Sequence, residues 1–262
     1  MPVNGESYKS SSIPPPPLLC VCWLCENSCS LDGELRLWDA KTGANLRSFH
    51  RHEEAVNAFA WLPDGRHFLS GGLDKLLLLW RTDGTVLQAW HGLRVHDLAV
   101  THDGANVVAV CAERKIRVFR LGSFEGSPRL SSAGETSLPI AHPVTSIQLS
   151  RDCAHLLVNC AGDSQTIELW GMRDRAPLLK YEGQKQSRFV IRSAFGGHAE
   201  RYVISGSEDS QVYIWNRHDA MLLQVLPGHS GAVNAVAWSP LHDDVFVSAS
   251  DDHTIRIWGP VR

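Results

Sequence analysis

Two sets of residues in this chain carry the side chains of a nucleophilic hydrolase: His52, Ser70 and Asp74, and again His229, Ser248 and Asp252. In such an enzyme one imidazole deprotonates one hydroxyl while a carboxylate holds the imidazole in the required tautomer. An active site occurs once, whereas this set recurs. Each time a tryptophan follows, Trp80 ten residues after Ser70 and Trp258 ten residues after Ser248. An indole N–H only donates, a carboxylate only accepts, and Ser and neutral His do both, so the four types can satisfy one another when buried. The corresponding positions elsewhere decay to Ala109 and Glu113, then to Cys160 and Ser164. A structural device tolerates that erosion and a catalytic one does not. No residue is therefore assigned a catalytic role.

Cysteine offers a second chemistry. Cys20, Cys22, Cys25 and Cys29 fall within ten residues. Zinc and iron–sulfur sites are built from paired Cys-x2-Cys spacings, and that spacing does not occur here twice. No metal site and no cofactor are expected. Seven Cys, an odd number, and no Asn-x-Ser/Thr acceptor point to a reducing compartment. The apolar run Leu18 to Leu24 is far below the roughly 20 residues of a membrane span. The expectation is a soluble, cytoplasmic protein, with the nucleus as a second location. A net charge of -3 and a pI near 6.5 argue against a nucleic-acid partner.

These residues are positioned by a repeat. Alternating runs end on an aromatic at Trp38, Trp80, Phe119, Trp170, Trp215 and Trp258, at intervals of 42, 39, 51, 45 and 43 residues. Periods of 40–45 residues with several short strands each are the signature of propeller blades. Six residues before the aromatic stand Asp32, Asp74, Glu113, Ser164, Asp209 and Asp252; ten before it stand Ser28, Ser70, Ala109, Cys160, Ser205 and Ser248. His52, His91 and His229 each precede a first strand by four residues.

On these residues the chain resembles the WD-repeat β-propellers, from Ser28 to Trp258. The resemblance implies that His, Ser, Asp and Trp form a hydrogen-bonded tetrad within a blade, complete here as His52–Ser70–Asp74–Trp80 and His229–Ser248–Asp252–Trp258. The fold expectation is all-β, about five full blades plus a partial one, truncated relative to a seven-bladed ring. Residues 1–27, with Pro14 to Pro17, are read as an irregular leader, and 28–262 as the propeller. The 51-residue interval is read as a surface loop over Leu121 to Pro139, in which Ser127-Pro128 is a candidate phosphosite. The last blade stops at Arg262 with no convincing donor for its fourth strand.

Asp97 to Thr101, Phe189 to Gly197, Ser205 to Trp215 and Ser248 to Pro260 resemble one branch in particular, the WD-repeat subunit of the GID/CTLH ubiquitin-ligase complex. That branch carries a helical LisH–CTLH region and first blade or blades that these residues lack. The resemblance implies a non-catalytic scaffold or substrate-recruiting subunit whose partners are other ligase subunits and a substrate. The alternatives are a substrate receptor of a cullin-based ligase, on a loose match at Asp32, Trp38, Asp39 and Lys41, or a scaffold unrelated to ubiquitin. Leu73, Glu208 and Asp251, just before the turn carboxylates, are the candidate partner contacts. Arg173, Arg175, Lys180, Lys185, Arg188 and Arg192 form the one basic concentration, a candidate surface for an acidic partner.

Overall fold

The structure, a computed structural model, describes residues 3–9, 18–21, 27–30, 32–39, 42–112, 115–124, 127–162, 164–187 and 189–260; in 3–9, 18–21, 27–30, 123–124, 127 and 132–134 it describes the backbone. Its strands form six four-stranded antiparallel sheets. The first strand, β1 (Val3–Lys9), belongs to the last of them.

The chain divides into two compact units. The unit Ile13–Ile140 holds three sheets. They are β2 (Leu18–Val21), β3 (Asn27–Ser30), β4 (Glu34–Trp38) and β5 (Asn45–His50); β6 (Val56–Trp61), β7 (His67–Gly72), β8 (Leu76–Arg81) and β9 (Val86–His91); and β10 (Val95–Val100), β11 (Asn106–Cys111), β12 (Lys115–Phe124) and β13 (Ser127–Pro139). The unit Met1–Ser12 with Ala141–Arg262 holds the other three. They are β14 (Val144–Leu149), β15 (His155–Cys160), β16 (Ile167–Gly171) and β17 (Ala176–Tyr181); β18 (Ser193–Gly196), β19 (Tyr202–Ser205), β20 (Gln211–Asn216) and β21 (Leu222–Pro227); and β22 (Val233–Trp238), β23 (Phe246–Ser250) and β24 (Thr254–Pro260), with β1 alongside β24.

Strand periodicity explains the packing. Leu77 and Leu79 of β8 face the next sheet and bury against Val95, Val107 and Ala109. Leu78 and Trp80, on the other face, bury with Phe68 against Leu35 and Phe49 of the preceding sheet. A strand buried on both faces reads as a continuous apolar run, as Leu76 to Trp80 does. The other unit repeats the scheme, with Ala194, Ile204, Val212 and Ile214 packing on Val236, Phe246 and Trp258. First turns are set by aspartates. Asp64 accepts from Arg66 N and His67 N at 2.8 and 3.0 Å, and Gly65 takes φ +63, a left-handed conformation glycine adopts freely.

Three expectations are corrected. The last sheet is not left with three strands, since β1 pairs antiparallel with β24 from Val3↔Pro260 to Lys9↔Thr254. The first sheet is likewise four-stranded, and β1 and β2 fall in the segment read as an irregular leader. Val3 to Lys9 shows no apolar alternation because its place is set by backbone bonds to the edge of β24. The stretch Leu121 to Pro139 is not a loop. It extends β12 and β13 into a long hairpin, with Leu121↔Leu130 and Arg117↔Ser137 in register. Leu130 and Leu138 are buried, and Gln88 makes two bonds to the Leu130 backbone, at 3.1 and 3.2 Å. Ser127 begins β13, and its side chain lies outside the description.

Phe68 has no exposure, stacks on Trp80 at 5.9 Å and meets Phe49 edge-on at 5.2 Å. Phe68→Ala is expected to destabilise the protein by about 3–5 kcal/mol through lost burial and an unfilled cavity, read as a shifted midpoint in denaturant unfolding.

Candidate functional site

Both tetrads form. Trp80 Nε1 donates to Ser70 Oγ at 2.8 Å, and Ser70 Oγ lies 2.7 Å from His52 Nε2. His52 Nδ1 lies 2.8 Å from Asp74 Oδ2. The carboxylate only accepts, so the proton sits on Nδ1, Nε2 accepts from the serine, and all donors run one way, from indole to carboxylate. Asp74 also accepts from Glu53 N and Leu76 N, both at 3.1 Å. The second set repeats this geometry, with Trp258 Nε1 to Ser248 Oγ at 2.8 Å, Ser248 Oγ to His229 Nε2 at 2.7 Å, and His229 Nδ1 to Asp252 Oδ2 at 2.9 Å. Ser70 and Ser248 are 0% and 1% exposed. Each hydroxyl already holds an indole and an imidazole, so a buried serine of this kind has no approach for a substrate. The hydrolase alternative fails on geometry.

Burial, opposed by Asp74, holds the His52 imidazole below its ordinary value. Protonation would add a second N–H, at Nε2, and take away the acceptor of the Ser70 hydroxyl. Asp252 behaves differently. Burial raises its carboxyl, but bonds from the Thr254 hydroxyl, Ser230 N, His229 and Thr254 N outweigh that and hold it below the usual carboxylate range.

The incomplete tetrads satisfy their indoles by other means, which the residue pattern did not reveal. Trp170 Nε1 donates to Glu168 Oε2 at 2.8 Å, two residues back on β16. Lys180, across the register from Glu168, lies 3.6 Å from its other oxygen. Cys160 stands in the serine position, and burial, with the Glu168 carboxylate, pushes its thiol up to about 12. It is therefore a packing residue rather than a nucleophile. Trp215 Nε1 donates to Glu182 O at 3.0 Å, Ser205 Oγ to Gly206 O at 2.9 Å, and Asp209 accepts from Tyr213 OH at 2.8 Å. His91 is exposed at the end of β9 and joins no tetrad. Glu113 lies outside the described residues, as do the side chains of Ser28 and of Cys20, Cys22, Cys25 and Cys29.

The candidate partner contacts differ among themselves. Asp251 is exposed, and its carboxylate accepts from Asn234 Nδ2. Glu208 is half-buried and clamps the β17–β18 connection, accepting from Ser187 N at 2.7 Å, the Ser187 hydroxyl at 2.7 Å and Phe189 N at 3.0 Å. Leu73 is half-buried, and its N–H donates to Ala55 O at 2.9 Å. The basic residues do not gather. Arg173 and Arg175 precede β17 while Lys185 and Arg192 follow it, so a six-residue strand of about 20 Å separates the two groups. Asp39 caps its own turn, accepting from Thr42 N at 2.8 Å and the Thr42 hydroxyl at 2.9 Å, and Lys41 and Arg188 lie outside the described residues.

One cluster had no sequence signal. Buried Arg217 donates to Glu200 Oε2 at 3.1 Å and to His155 Nδ1 at 3.0 Å, with its guanidinium 4.6 Å from the Phe195 ring centre. Glu200 also accepts from Arg151 N at 3.1 Å. The cluster ties the β14–β17 sheet to the β18–β21 sheet.

Asp252→Ala leaves His229, Ser230 N and Thr254 N without their acceptor and is expected to cost about 2–4 kcal/mol. Asp209→Ala, which frees fewer donors, is expected to cost about 1 kcal/mol; paired denaturant titrations compare them. With its folded value depressed from 6.5, His52 takes its proton in the unfolded chain first, so stability falls as pH drops below that value. The depressed Asp252 adds a further loss only at lower pH, below the ordinary carboxylate value of 3.8. Between about pH 7.5 and 5.5 the melting temperature of the wild type is expected to fall more than that of His52→Gln.

A family model, the WD domain, G-beta repeat, matches residues 43–81, 177–216 and 220–259. The chain is 37% identical over 93% of its length to a WD repeat-containing protein 26 homolog of Arabidopsis thaliana, and 39% identical over 86% to a WD repeat-containing protein WDS homolog of the same plant. It is 35% identical over 84% of its length to GID complex subunit 7 of Schizosaccharomyces pombe. These alignments cover 41%, 43% and 42% of the respective relatives, so the chain spans less than half their length. The six antiparallel four-stranded sheets and two complete His–Ser–Asp–Trp tetrads among the described residues accord with these matches: the chain carries WD repeats and is homologous to WD repeat-containing protein 26 homologs and to GID complex subunit 7.

Proposed function

We propose that the protein is a non-catalytic interaction scaffold in a GID-type ubiquitin-ligase assembly, supporting assembly or the recruitment of proteins for degradation. The observation that carries this reading is the likeness to GID complex subunit 7 across 84% of the chain. The geometry supports a scaffold. The serines and histidines that suggested catalysis are saturated inside the two tetrads, and the Cys160 thiol is held protonated. Rigid blades of this kind offer their connecting loops to protein partners, and exposed Asp251 is the candidate contact most available to one. The reading carries with it a cytoplasmic protein, with the nucleus as a second compartment. Ubiquitin transfer falls to other subunits.

Affinity purification of the tagged chain with mass spectrometry tests the assignment. GID-type subunits are expected among the recovered proteins. Recovery of a cullin adaptor instead would transfer the protein to a cullin-based ligase, and recovery of neither would leave a scaffold outside ubiquitin transfer.

A further inference from the structure

Among the described residues, four buried side-chain atoms without a hydrogen-bond partner lie in one seam, where the β14–β17 sheet meets the segment entering β18. They are Asn159 Nδ2, Gln184 Oε1, Gln186 Oε1 and Ser193 Oγ. Their residues are 1%, 4%, 0% and 7% exposed. A short chain of contacts connects them. Ser146, the register partner of Asn159, donates to Ile191 O at 2.8 Å, two residues before Ser193. Gln186 Nε2 donates to Thr145 Oγ1 at 2.7 Å, and Thr145 Oγ1 donates to Asn159 O at 3.3 Å. Gln184 Nε2 and Gln186 N both bond to Gln165, at 3.0 and 3.3 Å.

The sister sheets show how unusual this is. Asn159 stands eleven residues before its closing tryptophan, where Leu69, Val108 and Ile204 are fully buried. Its partner Ser146 stands where Ala60, Ala99 and Ala194 pair with those three residues. Leu69 and Ile204 bury against the sheet that follows. Ser193 pairs with Ser205 as Phe59 pairs with Ser70 and Val236 with Ser248, and Phe59 packs on the sheet that precedes. Apolar positions have thus become polar on both facing sides of one seam. Gln186 lies nineteen residues before Ser205, the separation of His229 from Ser248, yet its bonds go to Thr145 and Gln165.

We propose that the polar end of this seam is a structural water site. The orphaned groups include an amide donor, two amide carbonyls and a hydroxyl. Water donates and accepts and so matches that mixture, whereas a metal ion would be repelled by the amide N–H. Buried waters take two to four such partners. The rest of the same seam is apolar, with Leu157, Ile167, Leu169, Phe195, Val203 and Trp215 in one cluster. The water site therefore sits between that apolar cluster and the loop clamped by Glu208.

The test is a high-resolution crystal structure of the full chain, with water ¹⁷O relaxation dispersion on wild type and Asn159→Leu, the residue present at Leu69. Ordered water bonded to Asn159 Nδ2 and Gln186 Oε1 is expected, and the dispersion amplitude is expected to fall in Asn159→Leu. A dry seam, with these groups bonded directly to protein, would overturn the proposal. So would an unchanged dispersion in the folded variant. Ser193→Ala, which deletes one hydroxyl, gives the same reading should Asn159→Leu not fold.

Discussion

An indole N–H buried between two sheets must find an acceptor, because it has lost water and can only donate. Four tryptophans here meet that requirement in three ways. Trp80 and Trp258 use a serine, Trp170 a glutamate on its own strand, and Trp215 the Glu182 carbonyl. The serine solution is the most demanding. Once Ser70 accepts from the indole, its own proton needs an acceptor, which selects neutral His52, whose other nitrogen in turn needs a carboxylate. The chain ends on Asp74, which also holds the backbone of the turn before β8. One buried donor thereby fixes the entry of the first strand, the second and third strands and the turn between them.

That logic explains why the same residue types that suggest acyl transfer do none here. A catalytic serine, besides a base to take its proton, needs its hydroxyl open to a substrate. Ser70 and Ser248 are enclosed, and the direction of donation in each tetrad is set by the tryptophan. The tetrads are rigid supports. What they support is a set of turns, and the exposed Asp251 and the loop clamped by Glu208 are held by the same kind of bonding one layer out.

The blades are not equivalent. In the β18–β21 sheet no tetrad forms among the described residues: Ser205 bonds to Gly206 O, Asp209 to the Tyr213 hydroxyl and Trp215 to Glu182 O. Its seam with the β14–β17 sheet is polar at one end, apolar in the middle and bridged by Arg217, Glu200 and His155. An arginine in such a bridge is fully charged, so its burial depends on the paired Glu200 and on the Phe195 face beneath it.

The sequence by itself determined the repeat, the blade fold and both complete tetrads. Those features are legible because each blade is local: strand alternation, Asp-Gly turns and the fixed spacing of Ser70, Asp74 and Trp80 all fall within one period. Tertiary structure alone decided the rest. Val3–Lys9 joins β24 through backbone bonds, which leave no side-chain pattern to read. The extended β12–β13 hairpin was hidden by its glycines and serines, since its place depends on Leu130 and Leu138 finding a core. Glu168, Gln186 and Arg217 look like ordinary surface residues in a linear reading. Glu168 is buried beneath the Trp170 indole of its own strand, while Gln186 and Arg217 are buried because groups on neighbouring elements bond to them, partners defined by distance in space, which spacing along the chain does not encode.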